Sequence, residues 1–136
     1  MGTTVAAIRF EKSCISICNV GDSKILRITE NKLSQLSVDD LCICAFGVKP
    51  PLLQYFGIPP EKMIIEPNLK TFDYKDKDVY LICTDGLSDM VSEKIIGNEI
   101  KTKSGEEAVN SLMKTALENG GRDNITYIIL YVKKSG

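Results

Sequence analysis

The chain contains, from Tyr80 to Asp89, the stretch Tyr-Leu-Ile-Cys-Thr-Asp-Gly-Leu-Ser-Asp. The run from Val79 to Cys83 is apolar and rich in β-branched and aromatic residues, which is typical of a strand buried on both faces. It ends abruptly before Asp85, so the sequence predicts a carboxylate at the tip of a strand. Asp85 and Asp89 could then face one site. Carboxylates gathered at a strand end repel each other unless a cation lies between them, which favours a hard divalent ion such as Mg²⁺ or Mn²⁺.

A simpler interpretation of the same residues is also open. Asp85-Gly86 is a common turn dipeptide, in which Gly86 would relieve the backbone where the chain leaves the sheet. Asp89 would then be a cap for the helix that follows, a position that Ser88 and Ser92 could also fill. Local sequence alone favours this turn-and-cap interpretation over a metal site.

Composition indicates one ordinary globular domain. The 136 residues, of which 43% are hydrophobic and 26% charged, predict a single domain over residues 1–136. A net charge of −1, from 17 basic and 18 acidic residues, gives no electrostatic reason to expect nucleic acid or a membrane surface as partner. The sequence shows neither a membrane-spanning run nor a secretory signal, so we expect a cytoplasmic location.

Histidine and cysteine usage restricts the chemistry. The chain has no histidine, which excludes Ser-His-Asp and Cys-His schemes and histidine-bound zinc. Its five cysteines are odd in number and form no zinc-type pairs, so we expect reduced core thiols, among them Cys42 and Cys44 in a strand. No catalytic residue is expected beyond metal ligands, and any chemistry must depend on carboxylates and metal.

Hydrophobic patterns predict a strand-rich chain with late helices. The expected strands are Thr3 to Phe10, Cys14 to Val20, Lys24 to Thr29, Leu33 to Leu36, Met63 to Ile65, Leu69 to Phe72, Val79 to Cys83 and Ile125 to Val132. The expected helices are a short one over Leu52 to Phe56, one from Ser92 to Ile100, and one from Ser104 to Asn119 that Gly120-Gly121 ends. The acids Asp73, Asp76 and Asp78 lack the spacing of a calcium loop and predict a solvated turn.

Three acids stand at strand ends beside small residues, and their motifs occur in a familiar order. Asp22 lies in Asn-Val-Gly-Asp-Ser-Lys, Asp85 in Thr-Asp-Gly-Leu-Ser-Asp, and Asp123 in Gly-Gly-Arg-Asp-Asn-Ile-Thr. Together with Met-Gly-Thr-Thr at residues 1–4, they resemble the metal-dependent serine/threonine phosphatases of the protein phosphatase 2C family, especially the bacterial single-domain type. Each motif is weak alone, but four in the family's order and at comparable spacing make a strong signal.

The resemblance implies a fold, a reaction and a set of ligands. The implied fold is an α+β sandwich of two mostly antiparallel sheets with flanking helices, and the implied reaction is hydrolysis of a phosphoserine or phosphothreonine of a phosphoprotein substrate by a water bridging two Mg²⁺ or Mn²⁺ ions. By position, Asp85 and Asp123 would bind the dinuclear pair, while Asp22 and Asp89 would share a weaker third ion with Asp85. Gly86 and Asn124 would be neighbours of these ligands.

The chain also departs from the family pattern. Family members carry, before the Met-Gly-Thr-Thr motif, a strand with a phosphate-binding arginine and an Asp-Gly-x-Gly-Gly-His segment with a metal-bridging aspartate. Without these residues we expect weak or no phosphatase activity, and the sheet surface that the preceding helices would cover should promote self-association. A non-catalytic interaction module that keeps the fold is the alternative function, and a plain structural domain is a third.

Overall fold

The computed structural model describes residues 1–42 and 47–135. Within these residues the chain forms seven strands and three helices. The strands are β1 (Val5–Phe10), β2 (Cys14–Val20), β3 (Lys24–Thr29), β4 (Lys32–Gln35), β5 (Asn68–Asp73), β6 (Val79–Cys83) and β7 (Tyr127–Tyr131). The helices are α1 (Asp85–Ser88), α2 (Glu93–Thr102) and α3 (Gly105–Glu118). None of these helices is long and apolar enough to cross a membrane.

The strands form two antiparallel sheets. One sheet has the order β1-β2-β5, and the other has the order β4-β3-β6-β7. Short polar turns connect the early strands. At the turn between β3 and β4, Glu30 and Asn31 both have positive φ angles, 49° and 63°, as a two-residue hairpin turn of type I′ requires. The predicted α+β class, with two antiparallel sheets and flanking helices, is confirmed.

Two hydrophobic clusters hold these layers together. Side chains alternate between the faces of a strand, so neighbouring residues of β3 and β6 serve different clusters. Leu26 and Leu81 face the helices and pack with residues such as Leu112 of α3. Ile25 and Tyr80 face the other sheet and pack with residues such as Ile15 of β2. The central strands β3 and β6 are therefore covered on both sides, as the apolar run from Val79 to Cys83 predicted.

The segment between β4 and β5 differs from the prediction. Residues 52–56 do not form a helix; Leu52 pairs with Leu41 and Phe56 pairs with Thr3 in isolated bridges instead. Pro50-Pro51 and Pro59-Pro60 bracket this segment, so too few residues remain for a stable helix. Met63 to Ile65 is not a strand either, and pairing with β2 begins only at Asn68. The predicted strand around Cys44 lies outside the described residues.

The acidic turn before β6 is also only partly as predicted. A turn is present at residues 76–77, but Asp78 is buried rather than solvated, with 2% of its surface exposed. Its carboxylate accepts hydrogen bonds from the Lys75 backbone N–H at 2.9 Å and the Tyr80 hydroxyl at 3.3 Å. An aspartate in a turn can bond to nearby backbone in this way, and composition alone does not indicate that the turn is covered.

Candidate functional site

The antiparallel register of β3 and β6 brings Asp22 and Asp85 to the same end of the central sheet. Lys24 pairs with Cys83, and Asp22 and Asp85 each lie two residues beyond this pair, in the turn before β3 and just after β6. Gly21, with a φ of 101°, forms the turn that leads from β2 to Asp22. Residues separated by more than sixty positions in the chain therefore meet at one end of the central strands.

Helix α1 adds the third acid. Asp85 is its first residue, and Asp89 is its C-terminal cap, one turn further on. Asp89 is therefore not an N-terminal cap, as the simpler interpretation of the sequence supposed. Ser92 takes that role for α2, where its hydroxyl accepts a hydrogen bond from the Ile95 N–H at 3.3 Å. Residues at positions i and i+4 share one helix face, so the carboxylates of Asp85 and Asp89 point to the same side.

Lys49 lies among these carboxylates. Its Nζ is 2.5 Å from an oxygen of Asp85, 2.5 Å from an oxygen of Asp89 and 3.5 Å from an oxygen of Asp22. Asp22, Asp85 and Asp89 are called the acid cluster below. One oxygen of each acid points to the same position, which the Lys49 ammonium group occupies. Lys49 could not be predicted as a member of this site, because it lies in a loop before Pro50-Pro51 and only the folded chain brings it to the cluster.

The charges of the cluster shift two pKa values. Burial, together with the neighbouring Asp85 carboxylate, raises the pKa of Asp22 above its usual range, against the opposite effect of Lys49. Partial burial lowers the pKa of Lys49, but its hydrogen bonds to Asp85 and Asp89 outweigh this effect, so the net shift is upwards. Lys49 therefore stays protonated at neutral pH, and burying Asp22 as an anion costs the fold free energy.

A buried polar network fixes the turn that carries Asp22. The Asp40 carboxylate accepts hydrogen bonds from the Gly21 N–H at 2.8 Å, the Gln54 amide at 3.0 Å and the Asn68 amide at 2.9 Å. The Asp40 N–H in turn donates to the Gly21 carbonyl at 3.0 Å. Asp40 thus holds Gly21 at both backbone groups, which sets the position of the adjacent Asp22. Nothing in the sequence around Asp40 indicates this role, because its partners Gln54 and Asn68 lie far away in the chain.

Asp123 lies in the same cleft as Asp85, Asp89 and Lys49, a space of about 460 Å³ that Arg122 also lines. The Asn124 N–H donates to the Asp123 carboxylate at 2.7 Å. Within the cleft Asp123 stands apart from the point where the acid cluster meets Lys49, since its only close polar partner in the described residues is its own neighbour.

Gly86 holds this loop against helix α1. A methyl group at Gly86 would place its carbon 2.0 Å from the Asn124 carbonyl oxygen, closer than any real contact. Gly86 is helical, so its small size is needed for close approach of two backbones rather than for an unusual φ, which corrects the role expected from the sequence. Asn124 contributes through this main-chain contact.

The donor set of the acid cluster fits a hard cation, but it is incomplete as a metal centre. Carboxylate oxygens are the ligands that Mg²⁺ and Mn²⁺ prefer, and here they already surround a positive charge. Among the residues that the structure describes, however, no group of three or more histidine, cysteine, aspartate or glutamate side chains forms a ready-made metal site. In this arrangement Lys49 binds the three acids of the cluster. Asp123 makes no ion pair with Lys49 in the described residues.

The cysteines lie away from this chemistry. In the described part of the chain, Cys14, Cys18, Cys42 and Cys83 are free thiols. Cys83 precedes Asp85 by two residues but is only 2% exposed, and burial raises the pKa of its thiol to about 12. A thiol that is buried and protonated is a poor nucleophile. The four thiols are unpaired, as expected, but only Cys83 is a core residue, since Cys14, Cys18 and Cys42 are partly exposed.

A sandwich of two antiparallel sheets with acids gathered at one end of the central strands is the architecture that the sequence motifs implied. The fold and the motif order together define the class: the chain resembles metal-dependent serine/threonine phosphatases of the protein phosphatase 2C type, and comparisons with known proteins confirm this resemblance. No family model matches the chain.

The particular relatives are bacterial. The chain is 29% identical to the serine/threonine protein phosphatase PstP of Mycobacterium tuberculosis over 139 residues, which cover 95% of this chain and 27% of PstP. It is 30% identical to the serine/threonine phosphatase stp of Listeria welshimeri, over 96% of this chain and 56% of that protein. The chain therefore spans between about a quarter and just over half of the lengths of these two relatives.

Solved structures agree with the sequence relatives. The crystal structure of the M. tuberculosis phosphatase PstP superposes with a TM-score of 0.83 at 27% identity, covering 98% of this chain and 61% of that one. The PstP catalytic domain in complex with two manganese ions superposes with a TM-score of 0.82 at 28% identity, covering 98% and 60%. The predicted fold thus has close counterparts in enzymes of this class.

Proposed function

We propose that this chain forms part of a metal-dependent serine/threonine protein phosphatase domain, whose substrates are phosphoserine or phosphothreonine residues of proteins. The observation that carries the proposal is the convergence of Asp22, Asp85 and Asp89 on one cation position. Asp22 comes from one segment of the chain and Asp85 and Asp89 from another. The relatives found by the comparisons are serine/threonine phosphatases, and the catalytic domain of one of them has been crystallised with two manganese ions.

Each residue has a defined task in this proposal. Asp22, Asp85 and Asp89 would hold a divalent ion in place of the Lys49 ammonium. Asp85 and Asp123, which line one cleft, would contribute to the dinuclear pair. When bound, Mg²⁺ or Mn²⁺ would supply an acidified water and neutralise charge on the phosphoryl group. Arg122 lines the same cleft and offers a guanidinium group to phosphate oxygens.

The incomplete ligand set favours low activity for this chain alone. Mg²⁺ requires nearly octahedral oxygen coordination and otherwise keeps several waters, so few carboxylates hold it weakly. The same observation supports the second candidate function, a non-catalytic interaction module with this fold, since in the described residues Lys49 already neutralises the acid cluster.

Metal binding and hydrolysis are tested separately. We expect millimolar Mn²⁺ to raise the melting temperature of the wild-type chain, because a ligand that binds only the folded state stabilises it by mass action. Asp85→Asn should abolish this rise. Asp73→Asn, which changes an exposed acid at the end of β5, should leave it unchanged. A wild-type melting temperature that does not change with Mn²⁺ would contradict the proposed metal site in this chain.

Hydrolysis is measured with a phosphothreonine peptide in the presence of Mn²⁺. Release of phosphate that disappears in Asp85→Asn supports the phosphatase. A chain that binds Mn²⁺ but releases no phosphate above the Asp85→Asn background supports the non-catalytic module.

A further inference from the structure

Lys49 has no part in the chemistry proposed above, although it lies at the centre of the acid cluster. Its Nζ contacts oxygens of Asp85 and Asp89 at 2.5 Å each, so these two oxygens lie at most about twice that distance apart. The Asp22 oxygen approaches the same nitrogen at 3.5 Å. Two partly exposed carboxylates and a third, more buried one thus share a single internal cation.

A divalent ion would compete with Nζ for these oxygens. Mg²⁺ binds carboxylate oxygens at about 2.1 Å, so an ion that contacted the Asp85 and Asp89 oxygens would take the same ligands that Nζ contacts now. Two cations cannot share these oxygens at contact distance, because each loses ligands and the two charges repel. Lys49 must therefore leave the acid cluster before a divalent ion can occupy it.

The structure allows this departure without a change of fold. The Lys49 side chain is 47% exposed, so rotation about its own bonds takes the ammonium into solvent. Backbone hydrogen bonds are made near Lys49 from the Cys42 N–H to the Pro51 carbonyl at 2.9 Å and from the Leu53 N–H to the Asp40 carbonyl at 2.8 Å. These contacts do not involve the Lys49 side chain and can persist when it moves.

We propose that Lys49 is an intramolecular competitor of the divalent ion, which neutralises the acid cluster in the metal-free chain and raises the metal concentration at which the site fills. The inference rests on the proposed metal site and adds its regulation. Only the fraction of molecules in which Lys49 has left the cluster can bind the ion, so the apparent dissociation constant exceeds the intrinsic one by the inverse of that fraction.

The test is calorimetric titration of the metal-free chain with Mn²⁺, for the wild type and three variants. Lys49→Gln removes the competing charge, and we expect it to tighten Mn²⁺ binding by at least about fivefold. Lys49→Arg keeps a cation at the position and should stay within about twofold of wild type. Lys62→Gln is the matched control: it changes the net charge by the same amount at an exposed position of another segment, and should also stay within that range.

The outcomes separate this inference from the proposed function. Tighter binding by Lys49→Gln alone supports the competition. Equal or weaker binding by a folded Lys49→Gln overturns it while the metal site stands, and equal tightening by Lys62→Gln overturns it in favour of a general charge effect. Absence of Mn²⁺ binding in every variant overturns the metal site and the competition together. Circular dichroism checks folding, and Lys49→Met replaces Lys49→Gln if the latter does not fold.

Discussion

Asp22 differs from the other acids of the cluster in its burial. Its side chain is 12% exposed, against 28% for Asp85 and 43% for Asp89, and it is also the furthest of the three from Lys49. Burial therefore disfavours the ionised form of Asp22, while the compensating charge of Lys49 lies nearer to Asp85 and Asp89. The pKa of Asp22 rises as a result. In the metal-free chain, Asp22 is therefore the acid of the cluster whose ionised form is clearly disfavoured.

The raised pKa gives the stability of the metal-free chain a defined pH dependence. The stabilising effect of protonated Asp22 is fully present below the unfolded-state pKa of about 3.9 and is lost as pH rises through the higher folded-state value. The Asp22→Asn variant carries a neutral side chain at every pH, so it does not lose this stability as pH rises. We expect the variant to be more stable than wild type at pH 7, and the difference to vanish below about pH 3.9.

Urea unfolding in a chelator at several pH values measures this difference. Asp73→Asn, at an exposed acid outside the cluster, is the control and should show no such gain at pH 7. If Asp22→Asn is less stable than wild type at pH 7, then Asp22 stabilises the metal-free fold through its contacts and the electrostatic account fails.

At the scale of the elements, helix α1 is too short to be stable by itself and is held in place by contact with the backbone of a neighbouring loop. It has only four residues, and Gly86 lies against the main chain of Asn124. The Thr84 N–H donates to the Thr126 carbonyl at 3.0 Å, which continues the pairing of β6 with β7. This close packing fixes the helix that carries Asp85 and Asp89 next to the loop that carries Asp123.

Two helical glycines give a matched pair of variants for this contact. Gly86→Ala would push a methyl carbon against the Asn124 carbonyl oxygen, and we expect it to destabilise the fold by about 3 kcal/mol. Gly97→Ala, in α2, meets only the Leu33 side chain at 3.4 Å, an ordinary contact. Because alanine favours helices over glycine, this variant should be neutral or stabilising by up to about 1 kcal/mol.

Chemical denaturation gives both values. Similar stabilities of the two variants would show that the loop at Asn124 yields easily and does not fix α1.

The order of the elements could be predicted from the sequence because their apolar runs are long and end at clear turn residues. The run from Val79 to Cys83 and the helix before Gly120-Gly121 are examples, and both lie within one or two residues of their predicted bounds. The segment between β4 and β5 could not be predicted, since isolated bridges such as that between Thr3 and Phe56 depend on distant partners and leave no periodic pattern.

The candidate site shows the same division. The motifs singled out Asp22, Asp85, Asp89 and Asp123, because acids beside small residues are visible in the sequence, and the structure brings the first three together around Lys49. Lys49 and Asp40 act through partners far away in the chain, and nothing in their own neighbourhoods distinguishes them from surface residues. An ion pair between distant segments and a buried amide network become visible only after folding.

At the scale of the whole molecule, the two sheets are covered unequally. In the part of the chain that the structure describes, α2 and α3 contribute to the hydrophobic cluster on the outer face of the four-stranded sheet. The outer face of the three-stranded sheet carries Ala7 and Leu69, both exposed, Leu69 to 70%. This outer face is therefore exposed in the described residues.

The sandwich also has an opening between its sheets. A cleft of about 230 Å³ lies between β1 and β7, lined by Thr4 and Ala6 on one side and by Tyr127 and Ile128 on the other. Both strands are at sheet edges, and Ile128 is 55% exposed although it lies on the strand face turned towards the other sheet. An open edge with an apolar side chain is a site for pairing with another chain.

We therefore predict that the chain self-associates through this edge. Light scattering over a series of protein concentrations should show a mass that rises above that of a 15.0 kDa monomer. Ile128→Lys should reduce the association, because a lysine on an edge strand opposes pairing with a second strand. Leu117→Lys is the control: Leu117 is 58% exposed on α3, so it removes a similar apolar surface away from the edge and should leave the association unchanged. A wild-type chain that stays monomeric at the highest concentration contradicts self-association, and equal effects of the two lysine variants place the contact elsewhere than at β7.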